Sequence, residues 1–282
     1  MAEHHHDRGF PTYPGTPLDP QRLSCEFGGD DPVAGSGGRE LLGELYQSLV
    51  AEQAKLVEHQ WRNEVHRGAV RGFFLSGPPG VGKTTLARRL SYELMCRFPR
   101  AAGRDGVTAV VIDGSDLARA KYGETEKRIR ELFEAARHGF GLHGQRSVLI
   151  FDDIESILMA RGSDQAKEWH FSEDSVFFHA VDELDTSRTA LVLTTNRPDL
   201  VDEAIRDRFL RYEAGYPSPD VLTGVALRRV RDQGLTPDSL SAIESGIDQA
   251  VANGTVRSLR DAEHFAVRQY VTQILGAASL AG

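Results

Sequence analysis

The chain has 282 residues, of which 40% are hydrophobic and 26% charged, enough for one sizeable core plus a small second one and too ordinary a mixture for a disordered protein. A net charge of −8 argues against a surface built mainly to hold nucleic acid, because phosphate contacts need clustered Lys and Arg. The two cysteines, Cys25 and Cys96, lack both a CxxC and a His at ligand spacing, which excludes a disulfide framework or a zinc site, and no stretch is long and apolar enough for an export signal or a membrane span. The expectation is a cytoplasmic protein whose partners are proteins.

Residues 1–31, rich in Pro, Gly and charge, show no periodicity and are expected to form a flexible tail. His4, His5 and His6 fit that tail, or a residual tag, better than a metal site. Leu41, Leu42, Leu45, Leu49 and Leu56 then follow a helical pattern to about residue 65, which leads into a strand over 72–76. Runs rich in Val, Ile and Leu at 107–113, 147–152 and 189–195 read as further strands, each separated from the next by a helical segment. Strands alternating with helices give an α/β fold, a parallel sheet covered on both faces. The clearest helix lies in GETEKRIRELFEAARHG, where Ile129, Leu132, Phe133 and Ala136 make one apolar stripe. After YPSP at 216–219 the strands stop, and Leu259, Ala262, Ala266, Tyr270 and Ile274 share one face of a last helix. The chain thus divides into a tail (1–31), a large α/β unit (32–216) and a helical lid (217–282).

The segment FFLSGPPGVGKTTLARRL reads as strand, glycine-rich loop and helix, with Gly77, Gly82, Lys83 and Thr84 in the GxxxxGK[ST] pattern. Its residues Gly77, Pro78, Pro79, Gly80, Val81 and Gly82 curl the backbone so that N–H groups face phosphates, and Thr85 continues the helix whose positive end adds to the cradle. Lys83 is placed to hold the β and γ phosphates of ATP, and Thr84 to ligate Mg²⁺. In VLIFDDIES a buried strand delivers Asp152 and Asp153 to the sheet's C-terminal edge. Asp152 is the expected Mg²⁺ partner through water. Asp153 stands where most such ATPases carry Glu, the base that orients the attacking water, and is one methylene shorter. Asn196, at the end of TALVLTTN, can bond that water or the γ phosphate. Arg206 and Arg208, in DEAIRDRFLRY, follow in the region from which an arginine reaches a neighbouring subunit's ATP. Arg257, in GTVRSLRDAE, sits at an expected helix start, a poor place for a cation unless an anion lies nearby, and is read as contacting ATP from the lid.

The ordered set GPPGVGKTT, DLARAKYGETEKRIRELFEAAR, VLIFDDIES, LTTN and AIRDRF resembles AAA+ ATPases over about residues 32–282. IESILMAR, EDSVFFHAVDELD, DRF followed by GYPSP, and the arginine of GTVRSLR make it most similar to the pachytene-checkpoint family of HORMA-protein remodellers and their short bacterial relatives in anti-phage defence operons. The resemblance implies a P-loop NTPase sheet with helices on both faces and a small helical lid, assembled as a homohexamer with ATP at subunit borders. It also implies a central pore that grips an extended polypeptide, here at Lys121, Tyr122 and Gly123. Pore loops of the family carry an aromatic two residues before the Gly, a place that Lys121 holds in this chain. VAG at 33–35, with Val33 and Ala34, resembles the segment whose backbone lines the adenine pocket. Two other readings stay open at this stage. The paired Asp of the second acidic motif also occurs in nucleic-acid initiators and loaders, and a short Asp153 suits an ATP-binding scaffold with low turnover.

Overall fold

The computed structural model describes residues 15–27, 43–100, 106–114, 117, 124–141, 146–158 and 168–280. Its sheet runs in the order β1 (Thr16–Pro17), β3 (Val107–Asp113), β4 (Arg146–Asp152), β5 (Thr189–Thr195), β2 (Gly72–Ser76), β6 (Leu210–Glu213). All neighbours pair in parallel except β1, which lies antiparallel on β3. The four strands expected from Val, Ile and Leu runs are present, joined by the two edge strands β1 and β6.

Alternation along each strand sends side chains to two separate cores. Phe74, Leu149, Phe151, Leu191 and Leu193 pack with Ile129, Leu132 and Ala136 of α4 (Glu124–Arg137) and with Phe177 of α5 (Glu168–Asp182). Phe73, Leu75, Val148, Ile150 and Val192 pack instead with α2 (Gly43–Arg62) and α3 (Lys83–Arg97). In α2 the buried face is Val50, Ala54, Val57 and Trp61, while Leu49 and Leu56 lie half-buried beside it, so the leucine pattern marks the helix but not its innermost face. Leu41, Leu42 and Leu45 lie outside the residues whose side chains are described.

The expected flexible tail needs correction for residues 15–27. Leu18 donates its N–H to Ala109 beyond β1, and α1 (Pro20–Phe27) packs on α3 with Leu23 only 1% exposed. Asp19 caps this helix through Gln21 N–H at 2.9 Å, with Pro20 as its first residue. Asp-Pro opens a helix as readily as it breaks one, and proline density alone suggested disorder.

Beyond β6 the lid is built from α7 (Pro219–Val230), α8 (Pro237–Ala252) and α9 (Leu259–Leu280), after the short α6 (Glu203–Arg206) earlier in the chain. Its own core gathers Leu222, Ala226, Ile243, Ile247, Ala262 and Ala266. Tyr270 packs at its margin, but Ile274 is 45% exposed. No helix among the described residues is long and apolar enough to cross a membrane.

Candidate functional site

The C-terminal ends of parallel strands share one edge of the sheet, and β5 lies between β2 and β4. The order of the strands therefore puts Asn196, just past β5, between the loop after β2 and the acidic pair after β4. Gly77 takes φ 146°, and a Cβ there would stand 2.2 Å from the Ala214 carbonyl oxygen, so only glycine admits this approach to the chain leaving β6. Lys83, 6% exposed, donates to Gly77 O at 2.9 Å, Pro78 O at 2.8 Å and Asn196 Oδ1 at 2.7 Å. Burial holds its ammonium below the ordinary lysine pKa, while the carboxylates of Asp153, Asp152 and Glu155 push it back up.

Thr84 Oγ1 donates to Asp152 at 2.8 Å and 3.1 Å to its two oxygens, and buried Thr194 donates to the same carboxylate. A hydroxyl and a carboxylate side by side are hard oxygen donors, the set that Mg²⁺ accepts while keeping water and phosphate oxygens as its other ligands. Past Asp152 the chain turns sharply, with Asp153 left-handed at φ 53° and ψ 52°. That turn brings its carboxylate to Asn196 Nδ2 at 2.7 Å. Burial raises the Asp153 carboxyl, as do the charges of Asp152, Glu155 and Asp113, against the opposing pull of Lys83. Glu155 accepts the backbone N–H of Asn196 at 3.1 Å. Lys83, Asn196 and Asp153 thus form a continuous bridge above Thr84 and Asp152.

These groups line a cleft of about 700 Å³ that also takes in Pro79, Gly80, Gly82 and Thr85 from the loop and its helix. The lid closes its far side: Leu259 N–H donates to Gly80 O at 3.0 Å, and Arg260 lies along the wall. Val81, within the loop, is buried. The family model described as "ATPase family associated with various cellular activities (AAA)" matches residues 73–214, about half of the chain, and takes in every group of the bridge. The chain is a AAA ATPase. It is 35% identical over 154 residues to the "ATPase histone chaperone YTA7" of Saccharomyces cerevisiae, covering 54% of this chain and 10% of that protein. Similarity to a Corynebacterium glutamicum "AAA ATPase forming ring-shaped complexes" is 32% over 189 residues, covering 65% of this chain and 34% of the relative. A "Vesicle-fusing ATPase" of Arabidopsis thaliana is 28% identical over 191 residues, 65% of this chain and 24% of its own length. The match therefore spans between 10% and 34% of the length of each of these relatives. Among solved structures, the FIGL-1 AAA domain matches with a TM-score of 0.52 and 26% identity, over 71% of this chain and 62% of that one.

In this AAA site several wall-forming groups escape the motifs, Arg228 and Arg229 of α7 among them, and two are fixed by visible contacts. Arg260 takes the lid position that the sequence suggests for Arg257; Arg257 is exposed, donates to Gly254 O at 2.9 Å and is not among the residues lining the cleft. The signal was present, since Ser258 and Asp261 cap α9 reciprocally, Ser258 N–H to Asp261 at 3.0 Å and Asp261 N–H to Ser258 Oγ at 3.1 Å, which fixes Arg260 in the first turn. The second is the end of α1, where Glu26 and Phe27 reach the cleft and the Arg89 guanidinium lies 5.4 Å from the Phe27 ring. Arg206 and Arg208 do not line the chain's own cleft. Arg208 clamps Asp182 with two bonds, at 2.9 and 3.0 Å, and the nearby Arg206 Nε is buried without a hydrogen-bond partner among the described residues. Val33 and Ala34 lie outside the described residues, as do Lys121, Tyr122 and Gly123.

Proposed function

We propose that the chain is one subunit of a homo-oligomeric ring, a hexamer, that binds Mg-ATP at its borders and spends hydrolysis on remodelling a protein partner. The observation that carries this reading is the bridge from Lys83 through Asn196 to Asp153 above Thr84 and Asp152. In it Lys83 exchanges its loop carbonyls for β and γ phosphate oxygens, and Asp153 with Asn196 holds the attacking water, Asp153 accepting its proton. Thr84 and Asp152 would hold Mg²⁺, which when bound neutralises charge on the phosphate oxygens. Arg260 contributes a cation from the lid, with Arg257 one turn outside it. Arg206 and Arg208 do not line their own cleft, which is consistent with fingers acting on a neighbour's ATP.

Remodelling of protein is supported by relatives named as a histone chaperone, as vesicle-fusing and as ring-forming, and by a net charge of −8 that disfavours a nucleic-acid track. The finer reading is a HORMA-domain protein in anti-phage defence as the partner, gripped in a pore by Lys121, Tyr122 and Gly123, with Val33 and Ala34 in the segment that lines the adenine pocket. Its support is the run of motifs from IESILMAR to GTVRSLR. Steady-state ATPase rates with no addition, with DNA and with a HORMA-domain protein test it, with Lys83→Ala as a variant that has lost ATP binding. Stimulation by the HORMA protein alone is expected. A rate raised by DNA would instead mark a loader, and no turnover under any condition would mark a scaffold.

A further inference from the structure

We propose that Glu155 is a positioning residue for hydrolysis, setting the rate by holding the backbone from which Asn196 projects. The inference rests on the reading above that Asn196 and Asp153 hold the attacking water.

The argument begins where the sheet ends. The last β5 residue to pair, Thr195, lies opposite Ser76, so the N–H of Asn196 has no ladder partner. Glu155 Oε1 accepts it at 3.1 Å, and Thr195 Oγ1 accepts the next N–H, of Arg197, at 3.0 Å. Side chains rather than the sheet therefore fix the turn that carries Asn196. From that turn the Asn196 amide reaches Lys83 with its oxygen and Asp153 with its nitrogen, both at 2.7 Å. A shift of this backbone would move both ends of the bridge together. Glu155 is itself held firmly, because it sits in the turn Ile154–Ser156, closed by Ser156 N–H and Oγ bonds to Asp153 O at 3.1 and 2.7 Å. Its second oxygen, Oε2, is buried with no hydrogen-bond partner among the described residues. A buried carboxylate oxygen left unpaired is costly, and it is retained here beside Asp152 and Asp153, where one more negative charge adds repulsion. The compensating gain is the bond that Oε1 accepts from the Asn196 N–H, which holds the backbone that the sheet ladder leaves unpaired.

A misplacement of about 1 Å at a reacting centre costs on the order of 10²-fold, and that scale sets the expectation. Glu155→Ala should lower kcat by about 10- to 100-fold and leave the KM for ATP within about threefold, because the phosphate loop is untouched. Glu155→Gln keeps a carbonyl oxygen for the Asn196 N–H and should restore most of the lost rate. On an Asn196→Ala background, Glu155→Ala should lower kcat no further. Should the Ala variant not fold, as judged by its melting curve, Gln alone decides: a rate near the wild type supports the role. A Gln variant slowed more than tenfold would show that the charge itself is needed and would overturn it, as would additive losses in the double variant. An Asn196→Ala protein at full rate would bring down the underlying reading of the site as well, whereas a slow Asn196→Ala beside a fast Glu155→Ala would sink only this inference.

Discussion

At the scale of single residues, Asp153 shows how backbone conformation decides what a side chain can reach. A glutamate is one methylene longer, but this position is left-handed at φ 53°, a region where Asp and Asn are several-fold enriched over other non-glycine residues. From that turn the shorter carboxylate already meets Asn196 at 2.7 Å. Asp153→Asn should keep ATP binding and lower kcat by roughly 10² to 10⁴, the usual worth of a positioned base, as single-turnover assays will show. Asp153→Glu should be no faster than the wild type, since it adds reach the site does not lack and places a less tolerant residue at a left-handed angle. A faster Glu variant would mean that side-chain length, not backbone, limits the reaction. Lys83 carries a different load. With its three donors spent on Gly77 O, Pro78 O and Asn196, its removal opens the loop as well as deleting the charge. Lys83→Ala should therefore lose ATP binding altogether, and unchanged affinity by calorimetry would overturn the assignment.

Whole elements were legible wherever burial left a strong pattern. The central strands β3, β4 and β5 carry apolar side chains to two cores, and such runs are hard to mistake for anything else. Edge strands escaped because β1 has two residues, one of them a proline, and β6 has four with Leu210, Arg211 and Glu213 exposed, so neither shows a buried alternation. The phosphate loop, Asp152, Asp153 and Asn196 were legible because their chemistry ties residue type to spacing. Arg260 and Glu155 were not, since each takes its place from a neighbouring turn, the Ser258–Asp261 cap in one case and the left-handed Asp153 in the other. Helix α1 was hidden by the prolines before it, and its packing is testable. Leu23 is 1% exposed against the rest of the fold, so Leu23→Ala should cost about 2 to 4 kcal/mol in urea unfolding. A flexible tail would leave the midpoint unmoved.

For the whole molecule the arginines raise the question of what completes the site. Arg208 is held at home, with its guanidinium 4.9 Å from the Phe178 ring and its carboxylate partner Asp182 kept below the usual Asp range by that bond. Among the described residues Arg206 has no such clamp, and its buried Nε has no hydrogen-bond partner. A finger must be free to change partners when a neighbour's phosphate arrives, which favours Arg206 as the group that crosses the border and Arg208 as the one that braces it. Arg206→Ala should then bind ATP normally and lose about 10³-fold in kcat, the lower end of what such a finger is worth. Arg208→Ala should instead lower the melting temperature together with the rate, because it also breaks the link between Asp182 and the residues around α6. The decisive measurement mixes two inactive proteins. Lys83→Ala subunits cannot bind ATP but offer an intact Arg206, and Arg206→Ala subunits bind ATP but offer none. If the finger acts across a border, an equimolar mixture regains activity that neither protein has alone, through those borders where an intact cleft meets an intact arginine. If Arg206 acts within its own chain, each defect stays confined to its subunit and the mixture remains as inactive as its parts, even when light scattering shows that mixed rings have formed.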